Sequence, residues 1–219
     1  LDLTSISTAG YFPAEIIVSD GNLTNSDVFS TWFIADKRIV TVAKDDDKSD
    51  GFDSGTTTDK NYYVYYLVGG GSSFGRTDYL FVADSLNESP NDGTTSDVDN
   101  FRDALLRSIN GLSESDVAEF FTGYFDIVVA EPVNPDGSSL ASIETGCYDW
   151  DEYVYCIGGD INSSVFDSLF EENDLVSVLT IIEGRGVNLG NTNIQPISSR
   201  TEYVLMHELG HAHGEMGDE

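Results

Sequence analysis

The sequence predicts an α+β protein, in which a β-rich N-terminal part is followed by a part where strands and helices alternate. Residues 1–75 consist of β-branched and aromatic runs separated by clusters of Gly, Asp, Asn and Ser, with no helical period. From residue 76 onward, short apolar runs alternate with segments whose apolar residues recur every three or four positions. The stretch GGGSSFG (69–75) is typical of a hinge or linker. We therefore predict two domains, 1–75 and 76–219.

Three runs in the first domain predict strands. They are AEIIVSD (14–20), KRIVTVAK (37–44) and NYYVYYLV (61–68), and turn-forming residues separate them. The acidic loop KDDDKSDGFDSG (44–55) is a candidate for a structural Ca2+ ion. Because its Asp spacing does not match the EF-hand loop, a solvated turn is the favoured interpretation.

The second domain alternates between the two kinds of pattern. The predicted strands are DYLFVADS (78–85), YFDIVVAEPV (124–133) and VSVLTIIEG (176–184). The predicted helices are SDVDNFRDALLRSING (96–111), SESDVAEFFTG (113–123), NSSVFDSLFEEN (162–173) and SSRTEYVLMHELGHAHG (198–214). Ser199 and Glu202 form a capping box at the start of the last helix, and Gly214 suits its end.

The composition excludes several classes of partner. The chain has 39 Asp and Glu against 10 Lys and Arg, which gives a formal net charge of −29. Nucleic acid and anionic membrane surfaces would be repelled by this charge. No apolar run approaches the roughly 20 residues that span a bilayer. Hydrophobic residues make up 40% of the chain, which is enough for a packed core.

The cysteines and the N-terminus indicate an extracellular protein. Cys147 and Cys156, in TGCYDWDEYVYC, are typical of a small disulfide-bonded loop in an oxidising compartment, with two free thiols as the alternative. The first residue is Leu1 and the only methionines are Met206 and Met216. We therefore expect that the start has been trimmed, as removal of a signal peptide would do. These features favour a secreted or cell-surface protein.

All three histidines lie in the segment MHELGHAHGEMGDE (206–219). His207 and His211 are four residues apart, so a helix brings both imidazoles to one face. Glu208 directly follows His207 on the helix. From there its carboxylate can accept a proton from a metal-bound water without binding the metal itself. His213, two residues beyond His211, points to the opposite side and is not an expected ligand. The spacing therefore predicts a metal site with a general base.

The ligand types favour a catalytic zinc ion. Two histidines and one carboxylate leave a coordination position open, whereas a structural zinc ion is usually closed by four protein ligands, often thiolates. No cysteine lies near this helix. The reaction expected of such a site is hydrolysis of an amide. An ordinary amphipathic helix with two chance histidines is the alternative, but the concentration of all the histidines in one segment argues against it.

The third ligand is expected close after the helix. In the metzincin pattern, a glycine three residues after the second histidine ends the helix, and a ligand follows three residues beyond it. Gly214 occupies the glycine position, but the ligand position is Gly217, which has no side chain to offer. The nearest carboxylates belong to Asp218 and Glu219. Asp218 is the expected ligand, and Glu219 is the alternative.

The segment HELGHAHGEMGDE resembles the signature of the IgA-peptidase family of zinc metallopeptidases, in which H-E-x-G-H is followed by six residues and Asp-Glu. The likeness continues upstream at lower specificity and covers about residues 76–219. DYLFVADS is similar to a strand that the family ends on Gly-Asp-Gly, here Ala83, Asp84 and Ser85. TGCYDWDEYVYC is similar to a segment where many members carry a cysteine pair.

The resemblance implies a secreted or surface zinc endopeptidase on a metzincin-like scaffold, which is a twisted mixed sheet with flanking helices and a zinc-binding helix below the cleft. It implies a protein or peptide substrate, and it implies that residues 1–75 form a non-catalytic domain. The C-terminal subdomain of the family would lie beyond residue 219, so we expect the second domain to be truncated here. The alternative function is a catalytically inert surface or matrix protein, built on a peptidase-like domain, that assembles with other surface proteins.

Overall fold

A computed structural model describes the chain over residues 10–19, 24–42, 59–69, 76–88, 95–114, 125–137, 143–144, 156–157, 163–181, 186–198 and 201–214. The strands in these ranges are β1 (Gly10–Ser19), β2 (Thr24–Phe33), β3 (Ala35–Val42), β4 (Lys60–Val68), β5 (Thr77–Asp84), β6 (Phe125–Pro132), β7 (Ile143–Glu144), β8 (Cys156–Ile157), β9 (Leu175–Thr180), β10 (Val187–Leu189) and β11 (Thr192–Pro196). The helices are α1 (Asp97–Glu114), α2 (Ser163–Leu169) and α3 (Thr201–Gly214).

Seven of the described strands form one mixed sheet in the order β10-β11-β9-β5-β6-β4-β3. Strands β11, β9, β5 and β6 run parallel to one another, while β10, β4 and β3 pair antiparallel with their neighbours. Parallel neighbours need long crossover connections, which explains why helices are interspersed along this part of the chain. The predicted combination of a mixed sheet with helices is confirmed at this level.

The sheet extends across the boundary that we predicted between two domains. Strands β3 and β4 come from the segment 1–75, yet β4 pairs with β6 over the register from Tyr62 opposite Pro132 to Val68 opposite Ile127. A boundary at residue 75 therefore does not coincide with an edge of the sheet. Strands β1 and β2 pair with each other in a separate two-stranded sheet, and so do β7 and β8.

Apolar side chains cover both faces of the central strands. In β5, Tyr79, Phe81 and Ala83 lie in the cluster that includes α1 and α3, while Leu80 and Val82 lie in the cluster that includes α2. All five are at most 1% exposed. A parallel strand covered on both faces is expected to be continuously apolar, and this is why the run DYLFVADS is recognisable as a buried strand.

Helix α1 follows its predicted pattern. Val98, Phe101, Leu105 and Ile109 are all buried, as their spacing predicted. The Ser96 hydroxyl accepts a hydrogen bond from the Asp99 main-chain N–H at 3.1 Å and donates to the Asp99 carboxylate at 2.9 Å. This side-chain cap satisfies a backbone donor that has no partner within the helix.

Several predictions lie outside the described residues or were incomplete. The helix predicted at 113–123 lies mostly outside the described ranges, and so does the acidic loop at 44–55. The predicted disulfide also stays untested, since Cys147 and the side chain of Cys156 are not described. Strands β2, β7, β8, β10 and β11 were not predicted. Among the described helices, none is long and apolar enough to cross a membrane.

A cluster of carboxylates at the amino end of β5 makes stability depend on pH. Burial, together with Asp126, Asp174 and Glu172, raises the pKa of Asp78 to about 6. A raised pKa means that ionisation of Asp78 opposes folding, with no effect well below pH 4 and the full effect above about pH 6.

Asp78→Asn is therefore expected to raise the free energy of unfolding at pH 7, by roughly 0.5–1 kcal/mol for a partly screened charge. At pH 4 the substitution should change little. Urea denaturation at both pH values measures the difference. Asp103→Asn is the control, because Asp103 lies exposed in an ion pair with Arg107 and should give no gain at pH 7. Equal effects of Asp78→Asn at both pH values would contradict the prediction.

Candidate metal centre

The segment that carries the histidines is one unbroken helix. Helix α3 runs from Thr201 to Gly214 and so includes both His207 and His211. Their Cα atoms are separated by four residues, a rise of about 6 Å along one side of the helix. The HELGH motif therefore lies on a helix, as predicted.

Packing against the sheet and α1 fixes the rotation of α3. Leu205 and Leu209 are 0% and 8% exposed and belong to the core cluster that α1 shares. Since these two leucines point into the core, the opposite side of the helix faces outward. His207 lies on that side and is exposed, as does Tyr203, which is 72% exposed.

Glu208 has a very different environment from its neighbour His207. Its side chain is only 5% exposed, because it points toward the start of β10. The absence of a side chain at Gly186 makes room for it: a Cβ at this position would lie 2.8 Å from Glu208 Oε1 and 2.5 Å from Val204 Cγ1. The Gly186 backbone and the Glu208 carboxylate are therefore in close contact.

Gly186→Ala is expected to displace Glu208 and Val204, because the new methyl group would occupy the space that they fill. Overpacking of this kind lowers stability by about 1–3 kcal/mol. If Glu208 acts on the substrate, the displacement should also lower kcat by about 10-fold or more, since small misplacements of catalytic groups have large effects. Thermal denaturation and peptide hydrolysis measure the two effects.

Gly190→Ala is the control for loss of a glycine. A Cβ on Gly190 would meet no atom within 4 Å, but the φ of this residue is +72°, which alanine adopts only with strain. The control should therefore lower stability without lowering kcat. An unchanged kcat in Gly186→Ala would mean that the contact with Gly186 does not position Glu208 for catalysis.

The structure describes only part of the predicted ligand set. The main chain of His211 and His213 lies in α3, but their side chains are not described, and Asp218 and Glu219 lie outside the described residues. Within the described part of the chain, no three His, Cys, Asp or Glu side chains are grouped so that they could hold a metal ion. The exposed imidazole of His207, one turn before His211 on a continuous helix, fits a zinc site in donor type and in access from outside.

Polar side chains lie on the face of the sheet that α3 covers. Asn193 donates from Nδ2 to the Tyr79 hydroxyl at 3.3 Å, and Ser177 donates to Asn193 Oδ1 at 2.7 Å. The Ser177 hydroxyl has one proton, so Tyr79 must donate to Ser177 at 2.5 Å. The three residues form a closed ring of hydrogen bonds, and burial raises the pKa of Tyr79 to about 12.

Gln195, two residues after Asn193 on β11, contrasts with this ring. It is 0% exposed, and neither Nε2 nor Oε1 has a hydrogen-bond partner in the described part of the chain. A buried polar group without a partner lowers stability by about 1–3 kcal/mol relative to an apolar group of similar size.

We expect Gln195→Leu to raise the free energy of unfolding by about 1–3 kcal/mol, because it removes the unpaired amide and keeps the volume. Denaturation in urea at neutral pH measures it. Asn193→Leu is the matched comparison and should be destabilising, since it opens the hydrogen-bonded ring. A loss of stability in Gln195→Leu would mean that the amide is paired in solution.

Sequence reasoning missed Gly186 and Gln195 because it missed β10 and β11. Both strands are short, and β11 carries three polar residues, which weakens the usual strand pattern. One signal was present: Gly190 and Asn191 separate two short runs, and a Gly-Asn pair is typical of a two-residue hairpin. Gly190 has a φ of +72°, which glycine adopts without strain.

Comparison with known proteins does not assign the chain to a family. No protein-family model matches the chain, and no curated protein matches it at a significant level. The resemblance to the IgA-peptidase family therefore stays a prediction from the motif.

Proposed function

We propose that the chain is a secreted or cell-surface zinc endopeptidase with a metzincin-like arrangement of sheet and zinc helix. The observation that carries the proposal is the contrast between neighbouring side chains of α3. Glu208 is buried against the start of β10, while His207 is exposed on the outward side of the same helix. A general base has to be held in one position, whereas a metal ligand has to be accessible to the ion.

His207, His211 and Asp218 would hold the zinc ion, with Glu219 as the alternative to Asp218. Two imidazoles and a carboxylate are the donor set of many catalytic zinc sites. When bound, zinc supplies Lewis acidity, which lowers the pKa of water and polarises a carbonyl group.

Glu208 is the proposed general base. Its carboxylate accepts a proton from the attacking water while the water oxygen forms a bond to the carbonyl carbon of the scissile amide. The same group then gives the proton to the leaving nitrogen as the C–N bond breaks. Glu208 is therefore an ionised carboxylate again at the end of the cycle. Proton transfer by a positioned side chain typically contributes about 10²–10⁴-fold to the rate. The close approach of Glu208 to Gly186 would restrict the movement of its carboxylate, which supports this role.

Strand β10 is the proposed docking edge for the substrate. It is the terminal strand in the sheet order, and among the described strands it pairs only with β11. An extended peptide can add to such an edge through main-chain hydrogen bonds. Because Gly186 immediately precedes β10 and contacts Glu208, a peptide on this edge would have its backbone close to the general base.

Metal analysis combined with a hydrolysis assay tests the proposal. We expect about one zinc ion per chain, cleavage of casein, loss of cleavage with a chelator and recovery when zinc is added back. Zinc without cleavage of any protein would favour the inert surface or matrix protein instead. Absence of zinc binding would refute both the metal site and the peptidase.

A further inference from the structure

A patch of amide side chains lies on strands β10 and β11, on the side that α3 covers. Asn188 of β10 pairs with Asn193 of β11, and opposite residues of antiparallel strands point to the same face. Asn193 lies on the α3 side, because it bonds to Tyr79, which belongs to the same core cluster as Leu205. Side chains alternate along a strand, so Gln195 points to that side as well. The three amides therefore share one face.

The Glu208 carboxylate lies beside this patch. Val187 pairs with Ile194, so continuing the register by one residue places Gly186 opposite Gln195. A Cβ on Gly186 would lie 2.8 Å from Glu208 Oε1, and opposite Cβ atoms are about 4.5–5.5 Å apart. The Gln195 Cβ is therefore at most about 8 Å from this carboxylate oxygen. The amides and the proposed general base belong to one site.

Three buried atoms of the patch have no hydrogen-bond partner among the described residues. They are Oδ1 of Asn188 and both Nε2 and Oε1 of Gln195. Asn193 differs, because its amide is held in the ring with Tyr79 and Ser177. Buried polar atoms without a partner lower stability, and proteins retain them mainly at functional sites. Their position beside Glu208 indicates that a group of the substrate completes the site.

The unpaired atoms define the chemistry of the group that fits. Asn188 Oδ1 and Gln195 Oε1 each accept a hydrogen bond, and Gln195 Nε2 donates. A carboxamide has two N–H donors and one accepting oxygen, so it can pair with all three atoms. A hydroxyl group has a single donor and leaves one acceptor unpaired. An ammonium group cannot accept from Nε2, and a carboxylate has no donor and would be repelled by Glu208.

We propose that Asn188 and Gln195 form an amide subsite, which binds the carboxamide side chain of a Gln or Asn residue in the peptide substrate. The inference rests on the proposed function, since it takes Glu208 as the general base and β10 as the docking edge. Asn188 is part-buried on this terminal strand, so a peptide on the edge would reach it before Gln195. A site built to bond a polar group strongly rejects an analogue that lacks the group.

Hydrolysis of matched peptides tests the proposal. The fluorogenic peptides carry either glutamine or methionine, which has a similar shape but no amide, and the position of this residue is moved along the peptide. At one position, kcat/KM for the glutamine peptide should exceed that for the methionine peptide by at least about 100-fold. Gln195→Leu and Asn188→Leu should each reduce this preference by about 10-fold or more, with unchanged zinc content.

Binding measured in the presence of a chelator separates the subsite from the proposed function. Fluorescence anisotropy of the same peptides, each carrying a label, needs neither zinc nor hydrolysis. The parent chain should bind the glutamine peptide at least about 10-fold more tightly than the methionine peptide, and Gln195→Leu should bind both about equally. A chain that shows this binding preference but cleaves no peptide would refute the peptidase and retain the subsite.

Matched variants control for indirect effects. Ser108→Ala removes a buried hydroxyl that bonds to the Ala104 carbonyl oxygen within α1, so it should keep the preference of the parent. Circular dichroism checks that each variant is folded. Asn188→Leu alters a part-buried residue on a terminal strand, so it tests the subsite even if Gln195→Leu perturbs folding.

Two results would overturn the proposal. The first is the absence, in cleavage and in binding, of any preference for glutamine or asparagine over methionine. The second is a preference that Gln195→Leu and Asn188→Leu both leave unchanged, which would place the recognition of the amide elsewhere.

Discussion

Glu208→Gln is expected to lower kcat for peptide hydrolysis by about 10²–10⁴-fold while the zinc content stays unchanged. Glutamine keeps the size of the side chain, so the close approach to Gly186 remains. It cannot accept a proton at neutral pH, so the attacking water loses its base. Steady-state kinetics with a fluorogenic peptide, together with metal analysis of the same sample, measures both quantities.

Glu172→Gln is the matched control, because Glu172 is exposed in the turn after α2 and far along the chain from the motif. It should leave kcat and zinc content as they are. A Glu208→Gln variant with full activity would remove Glu208 from the mechanism. A variant that loses zinc together with activity would instead indicate that Glu208 acts on the metal site.

The predictions that succeeded depend on local patterns with a strong physical cause. Strands β5, β6 and β9 are covered on both faces, and so apolar residues predominate in their sequences. Helix α1 has one buried side, and so its apolar residues recur with the helical period. The location of His207 and Glu208 on a helix was predictable for a similar reason, because residues four positions apart lie on the same side of a helix.

Contacts between distant segments could not be predicted from the sequence. Strand β4 looks like a strand of an independent β-rich domain, and nothing in its own sequence specifies that its partner is β6. Likewise, Gly186 lies in no recognisable motif, and its importance comes from the approach of Glu208 across the fold. Local periodicity identifies which segments are strands and helices, whereas the pairing of segments depends on tertiary packing.

The burial of Glu208 and the exposure of His207 follow from the position of Leu205 and Leu209. These two leucines hold one side of α3 against the core. Successive residues of a helix are about 100° apart, so Glu208 falls at the border of the buried side and His207 on the open side. The core contacts of α3 therefore determine the orientation of the groups proposed to carry out the chemistry.

The proposed third zinc ligand can be tested by comparing two alanine variants. If Asp218 binds zinc as proposed, Asp218→Ala is expected to weaken zinc binding by about 100-fold or more, because a carboxylate in direct contact with the ion is lost. Glu219→Ala should weaken it by less than that, about 10-fold, if Glu219 only orients a ligand. Competition with a chromophoric chelator measures the zinc affinity, and peptide hydrolysis at saturating zinc measures the remaining activity.

The pair of variants separates the possible ligand sets. The HELGH motif leaves six residues before Asp218, and Gly217 offers no side chain, so the choice lies between two adjacent carboxylates. A larger effect of Glu219→Ala would make Glu219 the ligand and leave the peptidase proposal intact. Unchanged zinc affinity in both variants would mean that neither carboxylate binds the ion. The match of Asp218 and Glu219 to the family signature would then have no functional meaning.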